Sequence, residues 1–123
     1  MKIERRRAEG PVITGFSGGG FRVDELMFAA VLISPERVEG WSPPPVSALD
    51  EGDVAALLSL EPAPEFLLLG TGPTLVRPSP AFVAALNAKG IGVEAMDSRA
   101  AARAWGVLRA EGRWIAGAFY PLG

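Results

Sequence analysis

The sequence predicts a single α/β domain of three layers: a mixed central β-sheet, helices packed on it, and an N-terminal antiparallel β-meander that covers or extends the sheet. Three observations predict it. The chain has 123 residues, close to the commonest size for one domain and too short for a separate substrate domain. Its second half alternates apolar, strand-like runs with helical spacing, the signature of crossovers onto a sheet with parallel character. Its first third is β-rich and interrupted by glycines, which reads as hairpins.

Taken in order, residues 1–10, MKIERRRAEG, form a charged segment that reads as an edge strand or a frayed end. The short basic run Glu4 to Arg7 within it reads as solvated. Val12, Ile13 and Phe16 lead into Ser17-Gly18-Gly19-Gly20, after which Phe21, Val23 and then Met27 to Ile33 continue with apolar character. The glycine run suits positive φ values or a close backbone approach, and Asp24-Glu25 suits a second turn. Val38 to Trp41 reads as another short strand, stopped by Ser42-Pro43-Pro44-Pro45. Prolines donate no ladder hydrogen bonds, so an extended connector follows.

From Asp50 the spacing becomes helical, with Asp50 as N-cap, Asp53 in the first turn, and Val54, Leu57 and Leu58 as one apolar stripe. Glu61-Pro62-Ala63-Pro64 ends that helix. Phe66 to Leu69 reads as a buried strand. A helix over Ser79 to Lys89 follows, with Ser79 as cap, Pro80 at its first position, Phe82, Ala85 and Leu86 inward, and Gly90 as its stop. Ile91 to Met96 is the next strand. Ser98 caps a helix running to about Glu111, Gly112 terminates it, and Trp114 to Tyr120 is the closing strand.

Composition narrows the function. Hydrophobic residues make up 49% and charged residues 21%, and the formal net charge is -2, which removes the basic footprint expected of a nucleic-acid partner. Histidine and cysteine are absent. That rules out a Ser-His-Asp triad, a thiolate nucleophile, a disulfide and a zinc site of imidazole and thiolate ligands. No carboxylates cluster in sequence to suggest magnesium, so no metal and no cofactor are expected. No apolar run approaches the roughly 20 residues of a membrane span, and the amino terminus lacks a signal-type apolar region. The expectation is a cytoplasmic, non-membrane-spanning protein, monomeric or weakly homodimeric.

Open α/β sheets gather ligands beyond the carboxyl ends of their strands. Two loops qualify here, Gly70-Thr71-Gly72-Pro73 and Met96-Asp97-Ser98-Arg99, and neighbouring strands would place them in one crevice. The first loop resembles a dinucleotide fingerprint only in part. Gly70 and Gly72 fit, but position 75 is Leu, and Pro73, Pro78 and Pro80 delay the helix until about Ser79, so a pyrophosphate would not meet a helix N-terminus. The second loop opens a helix carrying Arg99 and Arg103 on one face, which either hold a small anion or form a solvated face with one of them paired to Asp97 or Glu94. Asp97 is either a general base or, where the helix dipole lowers its basicity, a capping group. Lys89 is either an amine nucleophile or a complement to its helix C-terminus. Trp105 and Trp114 read as core. Together these residues make no catalytic constellation.

The motif IxGFxxGGFxV, here Ile13, Gly15, Phe16, Gly19, Gly20, Phe21 and Val23, is followed by LLLGTG at Leu67 to Gly72 and GIGVEAMDS at Gly90 to Ser98. In that order and spacing they resemble the Mth-type domain family, which includes an adipogenesis-associated protein and mitochondrial complex I assembly factor three. The resemblance runs from about Val12 to Pro121. It keeps Ala101 and Arg103 and puts Ser98 where the family has Thr, but departs at Ala102, Ala104, Trp105 and Gly106, where the family has Cys, Thr, Tyr or Phe, and Asn. It implies a three-layer fold with a mixed sheet and little chemistry, most members having no assigned function. The mitochondrial relative implies help in assembling a membrane complex, and bacterial relatives are often encoded near protein-export genes. The leading expectation is therefore a non-enzymatic protein-binding or assembly-factor-like domain with an unidentified protein partner. The alternative is a small anionic-ligand binder or unrecognised enzyme using the crevice at Gly70, Thr71, Gly72, Met96, Asp97, Ser98, Arg99 and Arg103.

Overall fold

A computed structural model describes residues 10–123, so the expectations for the charged segment before Gly10 lie outside the described residues. Strands β1 (Ile13–Ser17), β2 (Gly20–Val23) and β3 (Leu26–Phe28) pair antiparallel as a small sheet in that order. Strands β4 (Val31–Ile33), β5 (Val38–Gly40), β6 (Phe66–Gly70), β7 (Gly92–Met96) and β8 (Ala116–Phe119) form a mixed five-stranded sheet in the order β5-β4-β8-β6-β7. Its three carboxyl-terminal strands run parallel, while β4 is antiparallel to both β5 and β8. The predicted mixed sheet and amino-terminal meander are both present.

The glycine run makes the β1–β2 turn, with Gly18 and Gly19 at φ 57 and 81, and Asp24 turns β2 into β3 at φ 55. The apolar run from Met27 to Ile33 is not one strand, however. A bend at Ala29 and Ala30 ends β3 in the small sheet and starts β4 in the large one. The segment after Asp50 is shorter and tighter than its spacing predicts. Asp50 and Asp53 form a capping box, with N–H to carboxylate distances of 2.9 and 3.2 Å. The turn Glu51–Val54 is a 3-10 helix, and only Ala55–Leu58 is α-helical (α1).

Helix α2 (Pro80–Asn87) connects β6 to β7, and helix α3 (Ser98–Ala110) connects β7 to β8. These two crossovers step across the sheet in opposite directions, so keeping one hand puts their helices on opposite faces. Side-chain alternation along the strands matches. Leu67, Leu69, Ala116 and Ala118 pack with Leu57, Phe82 and Leu86 on one face. Leu68, Phe119, Val31 and Ile33 pack on the other with Trp105 and with Phe21 of the small sheet. Three layers result, with α3 and the small sheet sharing one side.

One boundary is corrected. Asp97, not Ser98, caps α3: Asp97 Oδ1 accepts the Ala100 N–H at 2.9 Å. Ser98 is already inside the first turn and points into the protein, where it is fully buried. Trp105 is core as expected, fully buried, its indole N–H donating to the Pro11 carbonyl at 3.3 Å, whereas Trp114, also expected in the core, is half-buried, its indole N–H donating to the Pro62 carbonyl at 2.6 Å.

Candidate functional site

At the carboxyl end of the sheet, β6 and β7 are parallel neighbours with Gly70 opposite Met96, so the two predicted loops do adjoin. They are joined by their own hydrogen bonds. The Thr71 N–H donates to the Met96 carbonyl at 2.9 Å, and the Ser98 N–H donates to the Gly72 carbonyl at 2.8 Å. Ser98 Oγ accepts the Gly72 N–H and donates to the Tyr120 carbonyl, both at 2.8 Å. One hydroxyl thus ties together the ends of β6 and β8 and the start of α3. Thr71 adds a local clasp, donating to the Thr74 carbonyl at 2.7 Å and accepting the Val76 N–H at 2.9 Å.

Gly70 is demanded by this approach. A Cβ there would stand 2.9 Å from Ser98 Oγ, 3.0 Å from Ser98 Cα and 3.1 Å from the Phe119 ring, inside the contact distance of packed atoms. Gly72, at φ 108, turns the chain away. The strand exit that reads as half a nucleotide fingerprint therefore makes a tight seat for α3.

The amino end of α3 is engaged in the same way, through the Ser98 N–H on Gly72 and the Ala100 N–H on Asp97. Arg99 and Arg103 lie on its exposed face. Neither forms an ion pair with Asp97 or Glu94 among the described residues. The Arg99 guanidinium instead sits 4.8 Å from the centre of the Phe16 ring, a cation–π distance. Phe16 meets Phe21 edge-on at 6.0 Å, and Phe21 meets Phe119 at 5.8 Å. The glycine-rich motif and α3 are thus brought together through aromatic contacts, a pairing that needs the tertiary fold and leaves no local trace in sequence.

One turn further along α3, Arg103 borders a groove of about 430 Å³ whose other wall is β1, with Ile13, Gly15, Phe16, Gly106 and Val107 along it. Val107 is 60% exposed. At Gly15 and at Gly106 an added Cβ would meet nothing within 4 Å among the described residues. Gly106 is in the body of a 13-residue helix, where glycine costs roughly 1 kcal/mol against alanine, and packing among the described residues does not account for it. Ile13 and Val107, absent from the predicted crevice, belong to this surface, and the glycine-rich motif through Gly15 and Phe16 and the mid-helix glycine are the sequence signals that point to it.

Elsewhere Lys89 lies beyond the end of α2 and approaches Glu51 at 3.9 Å on the surface. Tyr120 OH donates to the Pro44 carbonyl at 2.6 Å, and its pKa is pushed up to about 12, first by burial and then by the Asp53 carboxylate. Among the described residues no group of three or more carboxylates is placed to hold a metal ion. None of their helices is long and apolar enough to cross a membrane.

Comparison with known proteins agrees with the fold. The family described as a protein of unknown function (DUF498/DUF598) matches residues 13–120. The NADH dehydrogenase (ubiquinone) 1 alpha subcomplex assembly factor 3 of Danio rerio is 28% identical over 120 residues, which are 97% of this chain and 69% of that protein. A crystal structure of a Bordetella parapertussis protein matches with a TM-score of 0.82 at 35% identity, covering 92% of this chain and 97% of the other. The solution structure of a Bordetella pertussis protein, described as a Mth938-like domain, matches with a TM-score of 0.80 at 32% identity, covering 100% of this chain and 94% of the other. With the motifs from Ile13 to Ser98 and the three-layer architecture pointing the same way, the chain belongs to the DUF498/DUF598 family of Mth938-like domains.

Proposed function

We propose that this chain is a protein-binding domain of the assembly-factor kind, that it acts without catalysis, and that the amino-terminal half of α3 is its working surface. The observation that carries the reading is the breadth of the likeness to the assembly factor, which spans 97% of this chain and so involves a whole domain instead of an isolated motif. In this reading Gly70, Thr71, Gly72, Met96, Asp97 and Ser98 are a rigid base. Arg99 and Arg103 are what the base presents. The lack of histidine and cysteine and the use of Asp97 as a cap leave little for acid–base or nucleophilic work.

The alternative, a small anion held at the same helix end, draws on the same two arginines. It has less support, because two of the first amides of α3 already donate within the protein. Crosslinking in native cells, followed by mass spectrometry, compares the unchanged chain with the Arg99→Ala, Arg103→Ala double variant. We expect a defined protein captured by the first and lost by the second at an unchanged Tm. Identical capture by both removes the assigned surface. A Tm rise with inorganic phosphate or a simple carboxylate, about 2.7 kcal/mol of stabilisation at 100 times Kd, favours the alternative.

A further inference from the structure

We infer that the groove between β1 and α3 takes an apolar segment of a partner protein flanked by carboxylates, seated by close approach to Gly106 and held by Arg99 and Arg103. This deepens the protein-binding reading and rests on it. Three independent features carry the inference. The first is shape and polarity: Ile13 and Phe16 on one wall and Val107 on the other make an apolar trough, and its most exposed apolar side chain, Val107, is uncovered.

The second feature is charge. Helix α3, Ser98 to Ala110, contains three arginines and no acidic residue, and β1 carries no charge at all. Arg22, exposed on β2, stands opposite Gly15 in the strand register. A basic segment would be repelled here, and an uncharged one would leave Arg103 without a counter-charge and Arg99 with only the Phe16 ring, so carboxylates are the complementary chemistry.

The third feature is the pair of glycines. Gly15 and Gly106 flank the trough with open space where a Cβ would point, and neither is at a positive φ. No contact among the described residues and no backbone strain calls for glycine at either place. A glycine placed in a helix against its propensity, on an exposed groove wall, is accounted for by a backbone that must come close from outside.

The test separates stability from binding. A displayed library of random 12-residue peptides is selected against the intact protein, and the affinity of the most enriched peptide is measured by fluorescence anisotropy. Selected peptides should carry at least two carboxylates around an apolar centre. Gly106→Ala should raise Tm by about 3 °C through helix propensity and yet weaken peptide binding roughly tenfold, the size of one misfitted contact. Gly106→Asn should weaken it further, and Arg103→Glu should abolish it. Peptides without acidic enrichment, or peptides indifferent to both Gly106 variants and to Arg103→Glu, overturn the groove assignment, as does a selection that enriches nothing. The protein-binding reading is judged separately, by whether the native crosslink depends on Arg99 and Arg103.

Discussion

Replacing Ser98 by Ala removes one oxygen and orphans two buried groups. Ser98 is 0% exposed, and its hydroxyl is the partner of both the Gly72 N–H and the Tyr120 carbonyl. Leaving a buried donor or acceptor unsatisfied costs about 1–3 kcal/mol, so two of them, partly relieved by relaxation, give roughly 2–4 kcal/mol. For a domain of this size each kcal/mol moves Tm by about 3–5 °C, so the expected fall is roughly 6–20 °C. Calorimetry or thermal circular dichroism reads it directly. A double-mutant cycle sharpens the reasoning. Gly70→Ala alone should cost about 1–3 kcal/mol by overpacking, because its new Cβ meets Ser98 Oγ at 2.9 Å. In the Ser98→Ala background that contact is gone, so the two changes should sum to less than their separate costs. A Ser98→Ala protein melting within about 2 °C of the parent, or strictly additive costs, would refute the idea that one hydroxyl joins the three segments.

Two further predictions concern the cap and the lone tyrosine. Asp97→Ala removes the acceptor for the Ala100 N–H and should cost about 0.5–2 kcal/mol in urea denaturation, whereas Asp97→Asn should recover most of it; equal losses for both would argue against capping. Tyr120 is the one tyrosine in the chain, so absorbance near 295 nm (a tyrosinate band) reports it alone, and its ionisation should be delayed to about pH 12. Because the folded pKa lies above the unfolded one, the unfolded chain releases its phenolic proton first. The associated stability is therefore complete below about pH 10 and is lost as pH rises towards 12, about 2–3 kcal/mol in all. Tyr120→Phe should abolish that dependence, and a folded-state midpoint near pH 10 would contradict the burial.

The second half of the chain was legible because its signals are local. Ser79 followed by Pro80 starts α2, Gly90 stops it, and the leucine run before Gly70 becomes the strand buried between two parallel neighbours. Where the reading faltered, the deciding contacts are distant. The step at Ala29 and Ala30 has no glycine or proline to announce a break, yet there the chain leaves one sheet for another, because β3 pairs with β2 while β4 pairs with β5 and β8. At α3 two good capping residues stand side by side, and only packing against Gly70 and Tyr120 decides that Asp97 caps while Ser98 turns inward. The crevice between the loops was inferred from topology that is in fact present. The joining of its two loops depends on side-chain hydrogen bonds between residues 26 and 22 positions apart, which no periodicity reports.

The way α3 is moored has a consequence for how this domain can change. Ser98, Ala101, Ala102 and Trp105 face the interior, whereas Arg99, Arg103, Gly106 and Val107 face solvent, so one helix encodes two instructions that interleave and meet at Ala102, which is buried yet borders the groove. The inner four specify where the helix sits. The outer four can be rewritten while its seat stays fixed, which lets paralogues, or a protein engineer, exchange one specificity for another on an unaltered frame.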